Sequence, residues 1–135
     1  MTSAGATGIA IVGCGYVADS YRHCLSFHPQ ALRLAGVWDR DPARLAAYRA
    51  CWGDRAYGSL GEALGDPEVE IVLNLTDPES HFEVTRAAIA AGKHVYTEKP
   101  LAMTYDQACA ARAAARAAGL RIAAAPCNML GEAAQ

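Results

Sequence analysis

The chain has 135 residues, a formal charge of −2, 53% hydrophobic residues swollen by alanine, and five cysteines. That length suits one domain with a real core and not two full domains. The small net charge gives no electrostatic footing for nucleic acid or an anionic membrane surface, and no stretch nears the roughly 20 apolar residues of a membrane helix.

Residues 1–6 read as a disordered leader of small residues, without the basic start and apolar centre of a signal peptide. Cys14, Cys24, Cys51, Cys109 and Cys127 are dispersed without a C-x-x-C pair, which points to reduced thiols and cytoplasmic residence. The first element is a short apolar strand, Gly8 to Val12, that empties into a glycine-rich turn and then a helix from about Tyr16 to Phe27. A second strand, Arg33 to Trp38, follows. Pro42 opens a helix running to about Ala50, with Asp41 as its N-cap.

Ala56-Tyr57 reads as a short edge strand, followed by a helical turn from about Ser59 to Leu64. The β-branched run Glu70 to Thr76 is a strand bounded by Asp77-Pro78. A helix from about Glu79 to Ala91 stops at Gly92, and Lys93 to Thr97 is the next strand. An alanine-rich helix from Tyr105 to Ala118 closes at Gly119, before a last strand, Leu120 to Ala125. Strands alternating with helices on short connections predict an α/β fold. The expected form is a three-layer, doubly wound parallel sheet of about six strands with helices on both faces.

Three small residues give the first turn its meaning. Gly13, Gly15 and Ala18 fit the dinucleotide pattern G-x-G-x-x-G/A. Gly13 permits a tight turn, Gly15 lets the backbone approach a pyrophosphate, and Ala18 lets the helix pack on the strand. The first helical amides, at Tyr16 and Val17, then face the phosphates with the positive end of the helix dipole behind them. Cys14 lies within this turn, where those amides favour its thiolate; the plainer reading is a small residue at a variable position.

Asp39 ends the second strand, 21 positions beyond Ala18. An acid about 20 residues on suits a ribose diol, since a carboxylate accepts from both hydroxyls. The alternative is that Asp39 caps the turn before Asp41-Pro42. Asn74 and Thr76 leave the strand before Asp77-Pro78, on the side of the sheet where ligands collect, and are placed to hydrogen-bond the nicotinamide half. Pro78 and His81 complete that segment; Asp77 or Ser80 capping the next helix is the structural alternative. Glu98-Lys99-Pro100 emerges from the next strand. Lys99 is suited to anchor a substrate hydroxyl or carbonyl and to ease proton movement. Glu98 is suited to hold a ribose hydroxyl or to orient the lysine.

With Gly13-Cys14-Gly15-Tyr16-Val17-Ala18, Asp39, Asn74 to His81 and Glu98-Lys99-Pro100-Leu101 in register, the chain resembles the Gfo/Idh/MocA oxidoreductases from about residue 7 to its end. The resemblance implies a nicotinamide-binding Rossmann domain over residues 7–126. It implies cofactor contacts at Gly13, Gly15, Asp39, Thr76 and Glu98, and a catalytic or substrate-orienting Lys99. Tyr16, Val17, Ala18, Arg40, Asn74, Pro78 and His81 join the expected cofactor-binding set; no metal is expected.

The implied parent is a dehydrogenase moving hydride between a nicotinamide cofactor and a sugar, cyclitol or related polyol, and assembling as a homo-oligomer. Residues 127–135 read as the start of a linker helix towards a second domain, so the chain is expected to bind cofactor without substrate turnover. Ala125-Pro126-Cys127-Asn128-Met129 departs from the basic, aromatic segment of many relatives. Asp39 favours NAD by repelling a 2′-phosphate; Arg40 leaves NADP open. A cofactor-binding sensor without redox chemistry is the alternative, and Lys99 argues for the enzyme. A nucleoside-binding methyltransferase shares the glycine turn and the acid, but not Glu98-Lys99-Pro100.

Overall fold

The computed structural model describes residues 5–125. The expected linker helix at 127–135, and most of the expected leader, lie outside the described residues. The elements run β1 Thr7–Val12, α1 Tyr16–Leu25, β2 Leu32–Trp38, α2 Pro42–Trp52, α3 Leu60–Gly65, β3 Ile71–Asn74, a 3-10 turn Pro78–Ser80, α4 His81–Ala90, β4 His94–Thr97, α5 Tyr105–Ala117 and β5 Ile122–Ala124. All strand pairs are parallel, in the order β2-β1-β3-β4-β5.

The described sheet therefore has five strands rather than six. Ala56 makes only a single parallel bridge to Val37 on the outer edge of β2, with backbone bonds from Val37 N to Arg55 O and Tyr57 N to Val37 O. Tyr57 is buried, with its hydroxyl on Asp66 at 2.8 Å, and the Ser59 cap of α3 follows two residues on, which ends the pairing.

Period-two alternation sorts the core into two layers. Ala10 and Val12 of β1 pack with Val72, Val95, Ala63, Val84, Ala88 and Ala115 under α3, α4 and α5. Ile9 and Ile11 point the other way, with Ala18, Val37, Tyr48 and Leu73 under α1 and α2. A central strand buried on both faces explains why β1 reads as a continuous apolar run.

Local signals set the boundaries. Asp41 caps α2, accepting from Ala43 N at 2.9 Å. Ser59 caps α3 while Glu62 reaches back to Gly58 N at 2.7 Å. Gly92 (φ 76°) and Gly119 (φ 68°) follow the ends of α4 and α5, as their left-handed backbone requires. The chain leaves β1 towards one edge of the sheet and β3 towards the other, so the connections after these neighbouring strands diverge and open a crevice at their carboxyl ends.

Candidate cofactor site

The crevice is built by two loops pressed together. Leu75 N donates to Val12 O at 2.7 Å, and Gly13 N to Trp38 O at 2.8 Å. Gly13 has φ +98°, and a Cβ there would meet Leu75 C, Leu75 O and Thr76 N at 2.6 Å. Only glycine fits that crossing.

Gly15 is different. Its backbone is extended at φ −79°, and a Cβ there would meet nothing within 4 Å. What its missing side chain leaves is open room above the first turn of α1. That helix end has no side-chain cap, and Tyr16 beside it is 92% exposed. Uncapped amides over open space form a cradle for an anionic group. Ala18 is fully buried and seats α1 on β1 as expected.

Asp39 is buried at the carboxyl end of β2. Its Oδ2 accepts from Cys14 N at 2.8 Å and its Oδ1 from Asp41 N at 2.7 Å, and Arg44 Nη1 lies 3.7 Å from Oδ2. Asp39 therefore holds the turn, the alternative role expected of it, and it also walls the crevice. A carboxylate offers about four lone-pair positions, so two amide donors leave acceptor capacity on a residue that lines the cleft.

That cleft has a volume of about 250 Å³ and is lined by Gly13, Asp39, Arg40, Arg44, Leu60, Thr76, Asp77, Ser80 and Val84 among others. It falls below the roughly 300–1,000 Å³ of pockets that enclose a drug-sized ligand. Arg40 reaches across the mouth, with Nη2 2.8 Å from Asp77 Oδ2 and Nη1 3.4 Å from Ser80 Oγ. The Ser80 hydroxyl first, and then Arg40, hold the Asp77 carboxyl below its usual range.

The structure corrects the expected roles of Asn74, His81 and Pro78. Asn74 is fully buried; its Nδ2 donates to His81 O (2.9 Å) and Thr85 Oγ1 (3.1 Å), and its Oδ1 accepts from Thr76 Oγ1 at 2.7 Å. His81 is 1% exposed, with Nδ1 2.6 Å from Pro100 O and Nε2 3.0 Å from Thr76 O. Their polar atoms are engaged within the protein, so these two side chains brace the loops that border the crevice. Pro78 is exposed and opens the 3-10 turn without lining the cleft. Thr76 does line it, although its hydroxyl turns inward to Asn74.

For Cys14 the plainer reading, a small residue at a variable position, fits the structure. Burial first, and then Asp39, push its thiol from 9.0 up to about 12, against any pull from the helix end. The group stays protonated through neutral pH and ionises only as the pH approaches 12. In the native chain at pH 8, Cys14 is therefore expected to resist iodoacetamide for hours while exposed Cys24, Cys51 and Cys109 alkylate within minutes. Peptide mass mapping against time reads this directly, and equal labelling of Cys14 contradicts it.

At the far end, Glu98 is half-buried and Lys99 exposed, and among the described residues the Lys99 ammonium forms no ion pair. The Lys99–Pro100 peptide is cis. Glu98 Oε1 accepts from Tyr21 Oη at 2.7 Å, and Oε2 from Lys99 N at 3.1 Å. Sequence reasoning missed Tyr21 and Arg44, whereas Asp77, offered there as a cap, does accept from Ser80 N at 3.1 Å. Arg44 was within reach of counting: it lies three residues past the N-cap Asp41, on the helix turn facing Asp39.

A glycine crossing, an uncapped helix end and a buried strand-end acid around one crevice define a dinucleotide-binding Rossmann domain. Residues 7–125 match the GFO_IDH_MocA family, described as an oxidoreductase family with an NAD-binding Rossmann fold. The chain belongs to that family and is its NAD(P)-binding domain.

Inositol 2-dehydrogenase of Ralstonia nicotianae is 34% identical over 116 residues, which is 84% of this chain and 34% of the relative. Biliverdin reductase of Synechocystis sp. PCC 6803, solved with biliverdin and NADP+, superposes with a TM-score of 0.85 at 30% identity over 94% of this chain and 40% of that one. GenD2 from gentamicin A biosynthesis, solved with NAD, gives 0.83 at 31% identity over 92% and 35%. The chain spans about a third of the length of the curated relatives it matches.

Proposed function

We propose that this domain binds NAD(H) along the crevice and supplies the cofactor half of a dehydrogenase acting on a sugar, cyclitol or related polyol. The observation that carries the reading is Asp39: a buried carboxylate tied to the glycine turn, with acceptor capacity left on a nucleoside-sized cleft. Asp39 accepts from the adenosine ribose hydroxyls, and Leu60 and Val84 give the base an apolar wall. The amides at Gly15, Tyr16 and Val17 face the pyrophosphate over the space Gly15 leaves free. Glu98 holds the second ribose.

The nicotinamide, when bound, accepts or supplies the hydride. Lys99, free of ion pairs among the described residues, orients a substrate oxygen and holds or releases its proton. Arg40 and Arg44 on the cleft wall leave room for a 2′-phosphate, but the Asp39 charge ranks NAD ahead of NADP. No helix of the described residues is long and apolar enough to cross a membrane, in keeping with a small-molecule role.

The polyol substrate class rests on inositol 2-dehydrogenase, a relative sharing a third of the residues aligned. An exposed Lys99, without an ion pair among the described residues, favours the enzyme over a sensor. Calorimetric titration of the chain with NAD, NADH, NADP and NADPH tests the reading. Binding of both NAD forms ahead of their phosphorylated counterparts is expected, and absence of heat from all four overturns it.

A further inference from the structure

We infer that the Tyr21 hydroxyl positions the Glu98 carboxylate for the second ribose of the dinucleotide; the inference rests on the cofactor reading above. Tyr21 lies three residues past Ala18, so α1 presents both to the sheet. Its ring meets Tyr96 of β4 with centroids 6.0 Å apart and planes tilted by 60°. Two residues after Tyr96, strand alternation returns Glu98 to the face that carries α1. The Tyr21 hydroxyl closes that gap with a 2.7 Å bond to Oε1, at the short end for a charge-assisted contact.

Burial, and then the bond to Glu98, raise the Tyr21 pKa, so the hydroxyl is a donor throughout the working range. Lys99 N fixes the other oxygen, Oε2. With each oxygen held by one donor, the carboxylate retains a lone pair on each for a ligand hydroxyl. A glutamate left free samples several rotamers, and ordering it on binding costs affinity. Tyr21 also links the helix whose first amides face the pyrophosphate to the loop that carries Glu98 and Lys99. It thereby sets the spacing between the two ends of the site.

A purely structural tie between α1 and β4 predicts a different pattern of losses. Titrate the full chain and its Tyr21→Phe, Glu98→Gln and double variants calorimetrically with ADP, ADP-ribose and NADH. ADP ends at the pyrophosphate, while the other two carry the second ribose. Phenylalanine keeps the ring on Tyr96, so the fold is preserved. The expected result for Tyr21→Phe is about a 10-fold loss for ADP-ribose and NADH, unchanged ADP affinity, and no further loss when Glu98→Gln is added. Equal losses for all three ligands, additive losses in the double variant, or no loss at all overturn the role of Tyr21 while leaving the cofactor reading standing. A wild-type chain that binds none of the three overturns both.

Discussion

Gly15→Ala is expected to leave stability intact and damage cofactor binding, whereas Gly13→Ala is expected to lower both. The two glycines share one motif but hold different places. At Gly13, alanine takes on a positive φ of +98° and drives its Cβ to 2.6 Å from three backbone atoms of Leu75 and Thr76. Those atoms cannot withdraw freely, because Leu75 N is bonded to Val12 O. The left-handed backbone alone costs roughly 1–2 kcal/mol, and prying apart the ends of β1 and β3 adds overpacking of about 1–3 kcal/mol. A total of about 3 kcal/mol is a large share of a typical stability of 5–15 kcal/mol. At roughly 3–5 °C per kcal/mol for this size, the melting temperature falls by about 10 °C or more. Alanine at Gly15 meets nothing within 4 Å and keeps an ordinary φ of −79°. Its melting temperature should stay within about 2 °C, by the small effects of surface changes. A methyl in the phosphate space should still weaken NADH binding about tenfold or more. Thermal melts and calorimetry of both variants separate the effects, and parallel behaviour of the two contradicts the assignment.

Asp39→Ala carries the second large effect, on two observables at once. It strips the acceptor from Cys14 N, which is buried, and from Asp41 N. A buried donor left without a partner costs about 1–3 kcal/mol, so the melting temperature should drop by about 5–10 °C. The same carboxylate is assigned the ribose diol. Hydrogen bonds to a charged group contribute about 1.5–3 kcal/mol, so NADH affinity should fall by about 100-fold. NADPH affinity should fall less, because the charge that opposes a 2′-phosphate is removed while Arg40 and Arg44 stay on the wall. Measured below the melting range of the variant, equal losses for the two cofactors would show that Asp39 only holds the turn.

Much of this architecture was legible in the sequence because its signals are local. Asp41, Gly92 and Gly119 mark helix ends by backbone chemistry that needs no partner. Asp39 was legible from spacing alone, and its hold on Asp41 N from the turn that follows it, but its partner at Cys14 N was not. Nothing in the sequence says that a turn 25 positions earlier will turn an N–H towards it. Asn74 shows where inference by position fails. A polar residue at a strand end reads the same whether it faces the crevice or a helix. Counting by two from apolar Val72 puts Asn74 on the α4 side, where Thr85 and the backbone of His81 saturate it. His81 was misplaced for the same reason, since its ring contacts are to the carbonyls of Thr76, five residues before it, and of Pro100 in the loop after β4. In Cys14, two principles compete at one position, and desolvation outweighs the helix end because the side chain points into the core rather than over the amides. Tyr21 belongs to no local motif, and only the packing of α1 against β4 brings its hydroxyl to Glu98.

The central claim is that a dinucleotide lies across the carboxyl ends of β1, β2, β3 and β4. The most direct measurement is a titration of ¹⁵N-labelled chain with NADH, followed through the backbone amide spectrum. The account predicts the largest shifts at Gly13 to Ala18, at Asp39 to Asp41 and at Thr76, with β5 and α5 unmoved. Shifts centred on any other surface, or a spectrum unchanged at millimolar NADH, would contradict it.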